Sequence, residues 1–487
     1  MSDRRERRKR QSSPDHLRRR IAAAVGRAMP AVLLLGLLAV LVPLSASSTT
    51  GAIAAVGVAA FVCVLVIFGL ERVGTIIVVG AMLFAPIFGD RFAAGALTAS
   101  DLLAGLGFFL LLPRVLGNNI KLPLLYGCGL VILFGMSVLA SAAQDEFLFS
   151  ALRIARLALA LAIIPILFMA WRPSQKLITV MAWAYVIGHT ISFAYGFVGP
   201  GGRVGSRLIG MSTHPNAFAV CSLFALAMIY YLDSQSTGWR RTAVWGLGAI
   251  HLAGLGLSGS RGALLALIGM ILVAALLEKS SRLIYTLITS TTVLAVLAPY
   301  ILVRLDPDSA PNRLLNPSGS ASASGSDNYR SDLLSRGWDA FLSNPILGDG
   351  YAGVYTFYYH NVYLQILVAA GIFGFIGFLM ILWTGVRPLF DAGPTHRLAY
   401  GPLGYFAALF FLNTIWDRFA WLPISLVMAA HMLERERARE REAERRPRHS
   451  SPYLVPHRPG ADRTTPAPDG TPPAATVTKV SEPATGR

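Results

Sequence analysis

The sequence predicts an all-α integral membrane protein: a polytopic bundle of about 12–14 transmembrane helices with one long extracytoplasmic loop. Three observations carry this. Of 487 residues, 54% are hydrophobic and only 14% charged, whereas a soluble domain carries about a quarter charged residues. Apolar runs of membrane-crossing length, about 20 residues, recur along the chain. The loops between them alternate between basic ones and ones free of lysine, the pattern of the positive-inside rule.

The net charge of +17 raises nucleic acid as a partner. The basic residues sit mainly in two tails and in short inter-helix loops, so the expected partner is the lipid bilayer and nucleic acid is excluded. Cys63, Cys128 and Cys221 all fall inside apolar runs. They read as small core residues, with no disulfide framework or metal site.

In chain order, residues 1–27 form a basic cytoplasmic tail of disordered composition. The Arg-rich start lacks a small-residue cleavage site, so the first span reads as retained. Spans are expected near 28–45, 51–70, 73–89, 97–113, 121–141, 153–171, 177–198, 214–232, 241–258, 261–278 and 282–303, making a bundle over 28–303. A long extracytoplasmic loop follows at 304–360. Further spans near 361–384, 398–415 and 418–433 complete the bundle, and 434–487 is a charged, then Pro-rich, cytoplasmic tail. About fourteen spans put both termini on one side, the cytoplasm. Lys9, Lys121, Lys176, Lys279 and Lys479 all fall on that side. Within the long loop, NPSGSASASGSDN at 316–328 reads as flexible. Leu333, Leu334, Trp338 and Phe341 then recur at helical spacing, as in a short amphipathic helix on the membrane surface.

The extracytoplasmic side carries the chemistry. The long loop becomes a membrane helix at His360-Asn361. A helix N-terminus disfavours a charged imidazole and leaves His360 able to accept a proton. Gly371 lies about three turns further on the same face, and with Gly374 and Gly377 forms a small-residue row for close helix packing. The plain alternative is a His that only caps its helix. Arg261, in the tight turn Ser258-Gly259-Ser260-Arg261-Gly262, sits between two apolar spans with no acidic residue near it in sequence. A cation there needs an anion, and Arg suits bidentate phosphate; the alternative is a snorkelling side chain. Arg203, Arg207, Arg304, Arg313, Arg330 and Arg336 share this side. His214-Pro215-Asn216 reads as a helix cap, and Asp101 as a structural partner for an arginine, with a second acid or base as the alternative. Several arginines and one His point to a lipid-linked diphosphate, whose transfer needs cations for the leaving group and a base for the incoming hydroxyl.

Three pieces resemble the bacterial O-antigen ligase and O-antigen polymerase superfamily. They are SGSRGALLALIGMIL at 258–272; Arg330 followed by Asn344-Pro345-Ile346-Leu347-Gly348-Asp349-Gly350; and His360-Asn361 with Gly371-Ile372-Phe373-Gly374. The resemblance covers about residues 200–380. It implies a GT-C-like, metal-independent, inverting membrane glycosyltransferase that needs no cofactor. Such an enzyme moves a glycan from a polyprenyl diphosphate to a hydroxyl of a saccharide or glycolipid acceptor, on the outer face of the inner membrane. Carried over by position, His360 is the base and Arg261 binds diphosphate, with Arg207 or Arg203 sharing that role and Arg330 assisting. Asn361, Gly371 and Asp101 are supporting residues. The loop at 199–213 departs from the Arg-x10-Gly pattern of some polymerases, which leaves ligase and polymerase both open. The rival reading is a transporter or flippase of lipid-linked glycans. It would line a crossing path with ionisable groups, yet only His189 and His251 lie deep in spans, where packing is the better reading.

Overall fold

The computed structural model describes residues 49–89, 97–143, 147–354, 359–391, 393–413 and 415–445, with isolated positions between 17 and 36. The N-terminal tail and first expected span, those positions apart, and the tail after 445 lie outside the described residues. The chain divides into two units, 1–438 and 439–487, and the first contains the bundle.

Helices α1 (Thr49–Phe68), α2 (Leu70–Phe84), α3 (Ala99–Leu110) and α4 (Leu112–Gly117) lead into α5 (Leu124–Ala142), α6 (Phe147–Trp171) and α7 (Gln175–Val198). A two-stranded hairpin, β1 (Arg203–Val204) with β2 (Arg207–Leu208), precedes α8 (Pro215–Ser234), α9 (Trp239–Ser258), α10 (Arg261–Leu277) and α11 (Ser281–Leu302). Then come α12 (Ala310–Leu315), α13 (Ala321–Ser343), α14 (Gly350–Val354), α15 (Val362–Val386), α16 (Tyr400–Ala408) and α17 (Arg418–Arg445). Among the described residues, six helices are long and apolar enough to cross a membrane: α5, α6, α7, α8, α15 and residues 283–300 of α11. The number is seven if α1 and α2, bent by 118° where Gly69 takes φ +79°, make one span.

The chain is therefore an all-α multi-pass membrane protein, but several expected spans are shorter than the sequence pattern indicates. The stretch 97–113 holds a 12-residue helix, 398–415 a 9-residue helix ending in a 3-10 turn at Leu409–Phe411, and 261–278 a 17-residue helix. At about 1.5 Å per residue the first two fall well short of a hydrocarbon core about 30 Å thick. Hydropathy reads how apolar a stretch is, not where its backbone breaks.

Glycines set how the helices approach. A Cβ on Gly377 of α15 would lie 2.8 Å from the Gly129 carbonyl oxygen of α5, and one on Gly129 would lie 2.7 Å from that of Gly377. This is the close small-residue packing expected of a membrane bundle. Gly371 behaves differently. It takes φ +64°, ψ −173° and breaks α15, so the expected continuous face from His360 to Gly371 is not formed. A Cβ there would run into the carbonyl of Ile346. Instead, the loop Asn344–Gly350 docks on the break: Ile372 N–H donates to Pro345 O (2.9 Å) and Asp349 N–H to Val368 O (2.7 Å). Two sequence motifs thus meet in one joint.

The core sits around α8, most of which is buried. Cys221 is buried there as expected, whereas Cys63 is exposed on α1 and not part of the core. His189 and His251 stack with ring centroids 5.0 Å apart and bond Ser222 and Thr190, so they pack as the sequence suggests. The stretch 316–328 is not a flexible loop. Ser320 caps α13 by accepting from Ala323 N–H, and helix-favouring alanines follow. The expected amphipathic stripe is split, with Leu333 buried and Trp338 exposed.

Asp101 forms a capping box with Thr98 at the start of α3 and holds the Arg418 guanidinium through two nitrogens, one at 2.7 Å. Both side chains are buried, which makes this a structural ion pair. Removing one partner of such a pair costs about 3–5 kcal/mol, because the other charge is left buried and uncompensated. Asp101→Ala should therefore lower stability by about that amount, measured by thermal unfolding in detergent. Asp101→Leu combined with Arg418→Met should recover much of the loss.

Candidate active site

The ions at the two ends of the bundle are arranged differently. At the end where α8 finishes and α10 stops, cations meet carboxylates: Arg241 with Asp233, Arg397 with Glu278, and Arg172 and Lys121 with Glu436. At the other end, Arg207, Arg261, Arg313 and Arg330 line one cleft together with Asn216, Ser260 and Phe411.

The turn between α9 and α10 positions two of these arginines. Gly259, at φ +63°, ends α9, and Ser260 caps α10 by accepting from Ala263 N–H. Arg261 is consequently the first residue of α10, a cation at the helix end where an anion is favoured. A Cβ on Gly262 would strike Phe411, so glycine lets that ring close the cleft floor. Arg207, on β2, donates from Nε to Ser258 O (2.7 Å) and from Nη2 to Asn216 Oδ1 (3.0 Å). The path of Gly259 matters here too, since a Cβ would lie 3.3 Å from Arg207 Nε.

Two helices of the 304–360 stretch add the other arginines. Arg313 is buried on α12, which is tied to the end of α11 by Asn312 Nδ2 donating to the carbonyls of Leu302 (3.3 Å), Leu305 (3.2 Å) and Asp306 (2.7 Å). Arg330 is half-buried on α13. That helix lies close over the start of α15 because a side chain on Gly337 would strike Leu364 and Tyr359. Asp327, one turn before Arg330, chelates Arg261 through both oxygens, one at 2.8 Å. Arg261 thus has an acidic partner, but one 66 positions away, so the reading that none is near it in sequence still holds.

The four guanidinia act on one another. Burial first, then Arg313, Arg330 and Arg261, push Arg207 down to about 10. Burial and Arg261 also lower Arg313 and Arg330, against the opposing charges of Asp327 on both and Asp308 on Arg313. Hydrogen bonding to Arg261 holds the Asp327 carboxyl below its usual range. Two carboxylates do not neutralise four cations, so the cleft favours a multiply charged anion.

His360 stands beside this cleft, half-buried, with its ring 6.2 Å from Tyr329 edge to face. Its backbone is left-handed at φ +51°, as it is at Arg172 and Lys279, a conformation costing a β-carbon residue about 1–2 kcal/mol. Asn361 performs the cap, accepting from Leu364 N–H (3.1 Å), so His360 does not. Burial, and then the charge of Arg330, lower its pKa. Those causes add to the helix-terminus argument made from sequence and keep the imidazole neutral. His214 caps α8 as expected, its Nδ1 accepting from Asn216 N–H at 3.1 Å.

Of the residues singled out in sequence, Arg207, Arg261 and Arg330 are brought together, with His360 beside them. Arg203 is not among the cleft residues: it is exposed, donates to Gly196 O and lies over the Phe197 ring. Gly371 and Asp101 act through the fold. Sequence reasoning does not single out Asp327 or Arg313 for the site. Asp327 carries no motif, and Arg313 is one of several loop arginines until Asn312 fixes its helix. Among the described residues, no group of three or more His, Cys, Asp or Glu could hold a metal.

Residues 246–379, about a quarter of the chain, match the family model for O-antigen ligase (Wzy_C), and this supports a likeness of that segment to the O-antigen ligase and polymerase superfamily. The match contains Arg261, Arg313, Asp327, Arg330, His360 and Gly371, while Arg207 and His214 lie before it. No curated protein and no solved structure matches the chain.

Because Arg330 depresses the His360 pKa, Arg330→Gln should raise it towards the ordinary value near 6.5. The charge-free base is lost as pH falls through its own pKa, so the acid limb of any His360-dependent activity should move to higher pH. The His360 ring titration followed by NMR checks the shift directly.

Proposed function

We propose that this chain, whose residues 246–379 match the O-antigen ligase family model, is a glycosyltransferase of the extracytoplasmic membrane face. It moves a glycan from a polyprenyl diphosphate to the hydroxyl of a saccharide or glycolipid acceptor. The observation that carries the reading is the convergence of Arg207, Arg261, Arg313 and Arg330 on one cleft beside a neutral His360.

In the proposed step, His360 takes the proton of the acceptor hydroxyl as its oxygen attacks the anomeric carbon. The bond from that carbon to the diphosphate oxygen breaks, and the leaving diphosphate departs with the electron pair. The arginine cleft stabilises the charge that develops on it. Attack opposite the leaving group inverts the anomeric centre, and the step needs neither metal nor cofactor. The N-terminal end of α10, which carries Arg261, adds its dipole on the same side.

The reading is tested with purified protein in proteoliposomes supplied with a polyprenyl-diphosphate oligosaccharide. Wild type should release polyprenyl diphosphate, and His360→Ala should cut turnover by about 10²–10⁴-fold. Arg261→Ala should weaken donor use even though it frees Asp327. A ladder of glycans identifies a polymerase, and a single transfer to an added acceptor identifies a ligase. Donor binding without release, across both kinds of acceptor, would sink the reading in favour of transport.

A further inference from the structure

His214 adjoins the arginine cleft through Asn216, one of the residues that line it, and has one ring nitrogen committed. Nδ1 accepts the backbone N–H of Asn216 at 3.1 Å, so in the neutral ring the proton must reside on Nε2. The backbone amide of Asn216 is thus held by His214, while its side-chain Oδ1 is held by Arg207 Nη2 at 3.0 Å. One residue ties the imidazole to the first arginine of the cleft. His214 is exposed, and the groups whose charge it senses are Arg207, His360 and Arg330. A cap alone needs none of these neighbours. Crowding of the ring by surrounding atoms, and then those cations, push its pKa down to about 4, so it carries no charge at neutral pH.

Resting on the proposed function, we infer that His214 is a diphosphate-binding residue. It donates a single hydrogen bond from neutral Nε2–H to an oxygen of the donor's diphosphate, beside Arg207. It does not compete with His360 for the acceptor proton, because its one accepting nitrogen is already occupied. A neutral imidazole held in one tautomer is a known way to give a hydrogen bond to developing negative charge. It also adds a donor without a fifth positive charge in a cleft where four cations already repel.

The test separates cap from donor. His214→Ser keeps an N-cap acceptor but cannot reach the cleft. His214→Gln weakens the cap and keeps an N–H at about the reach of Nε2. Binding of a polyprenyl diphosphate is measured for wild type and both variants in lipid nanodiscs, with thermal unfolding alongside. A hydrogen bond to a charged acceptor predicts about 10- to 100-fold weaker binding for the Ser variant at unchanged stability, and partial recovery for the Gln variant. Wild-type binding by the Ser variant would reduce His214 to a cap while leaving the proposed function standing. Equal loss in both variants would also count against the hydrogen bond. Failure of wild type to bind polyprenyl diphosphate overturns the proposed function, and this inference with it.

Discussion

Four guanidinium groups facing one cleft repel one another, and much of the local architecture counters that repulsion. Arg207 is held by a backbone carbonyl and an amide oxygen, both neutral acceptors. Arg261 takes the Asp327 carboxylate. Arg313 stays in place because its neighbour Asn312 gathers three carbonyls and fixes a helix of only six residues. Arg330 arrives on α13, which Gly337 allows to lie close to α15. At the opposite end of the bundle cations are matched with anions, so charge there serves the fold. At the end that carries His360, four arginines instead share one cleft.

The joint at Gly371 couples this site to the bundle. The break in α15 exposes a backbone carbonyl and an amide that a straight helix would keep for itself, and the Asn344–Gly350 loop uses both. Ten residues after this loop comes His360, in a left-handed conformation. The helix that begins just after the proposed base and is broken at the joint packs through Gly377 against α5. Loop, base and membrane helix therefore form one connected piece.

Much of this is legible in the sequence for physical reasons. Apolar run length announces a membrane, and lone cations without local partners announce a charged site. The Ser-Arg-Gly turn and the His-Asn junction stand out because a tight turn and a helix start each demand particular residues at fixed spacing. What escapes depends on distance in the fold. Asp327 reaches Arg261 across 66 positions, and nothing in its neighbourhood signals that. Gly371 reads as a face residue because helical periodicity assumes an unbroken helix, and a positive φ leaves no mark on hydropathy. The Ser-rich stretch before Tyr329 looks disordered by composition, yet a cap, two alanines and the Arg261 contact make it helical. His214 is legible as a cap, but its neighbours Arg207, Arg330 and His360 are set by tertiary packing.

The bidentate contact between Asp327 and Arg261 has a thermodynamic consequence. With the cleft as it stands, the arginine best placed at a helix terminus is already occupied by a ligand the protein carries itself. Under the proposed function, donor capture is then an exchange of anions, a carboxylate for a diphosphate. The observed affinity is a difference between two attachments. An exposed carboxylate is a weak internal competitor, so the exchange subtracts little from donor binding, and the same amount for any anion that takes its place. Under that function Asp327 keeps Arg261 ordered at the cleft until the donor's diphosphate takes its place.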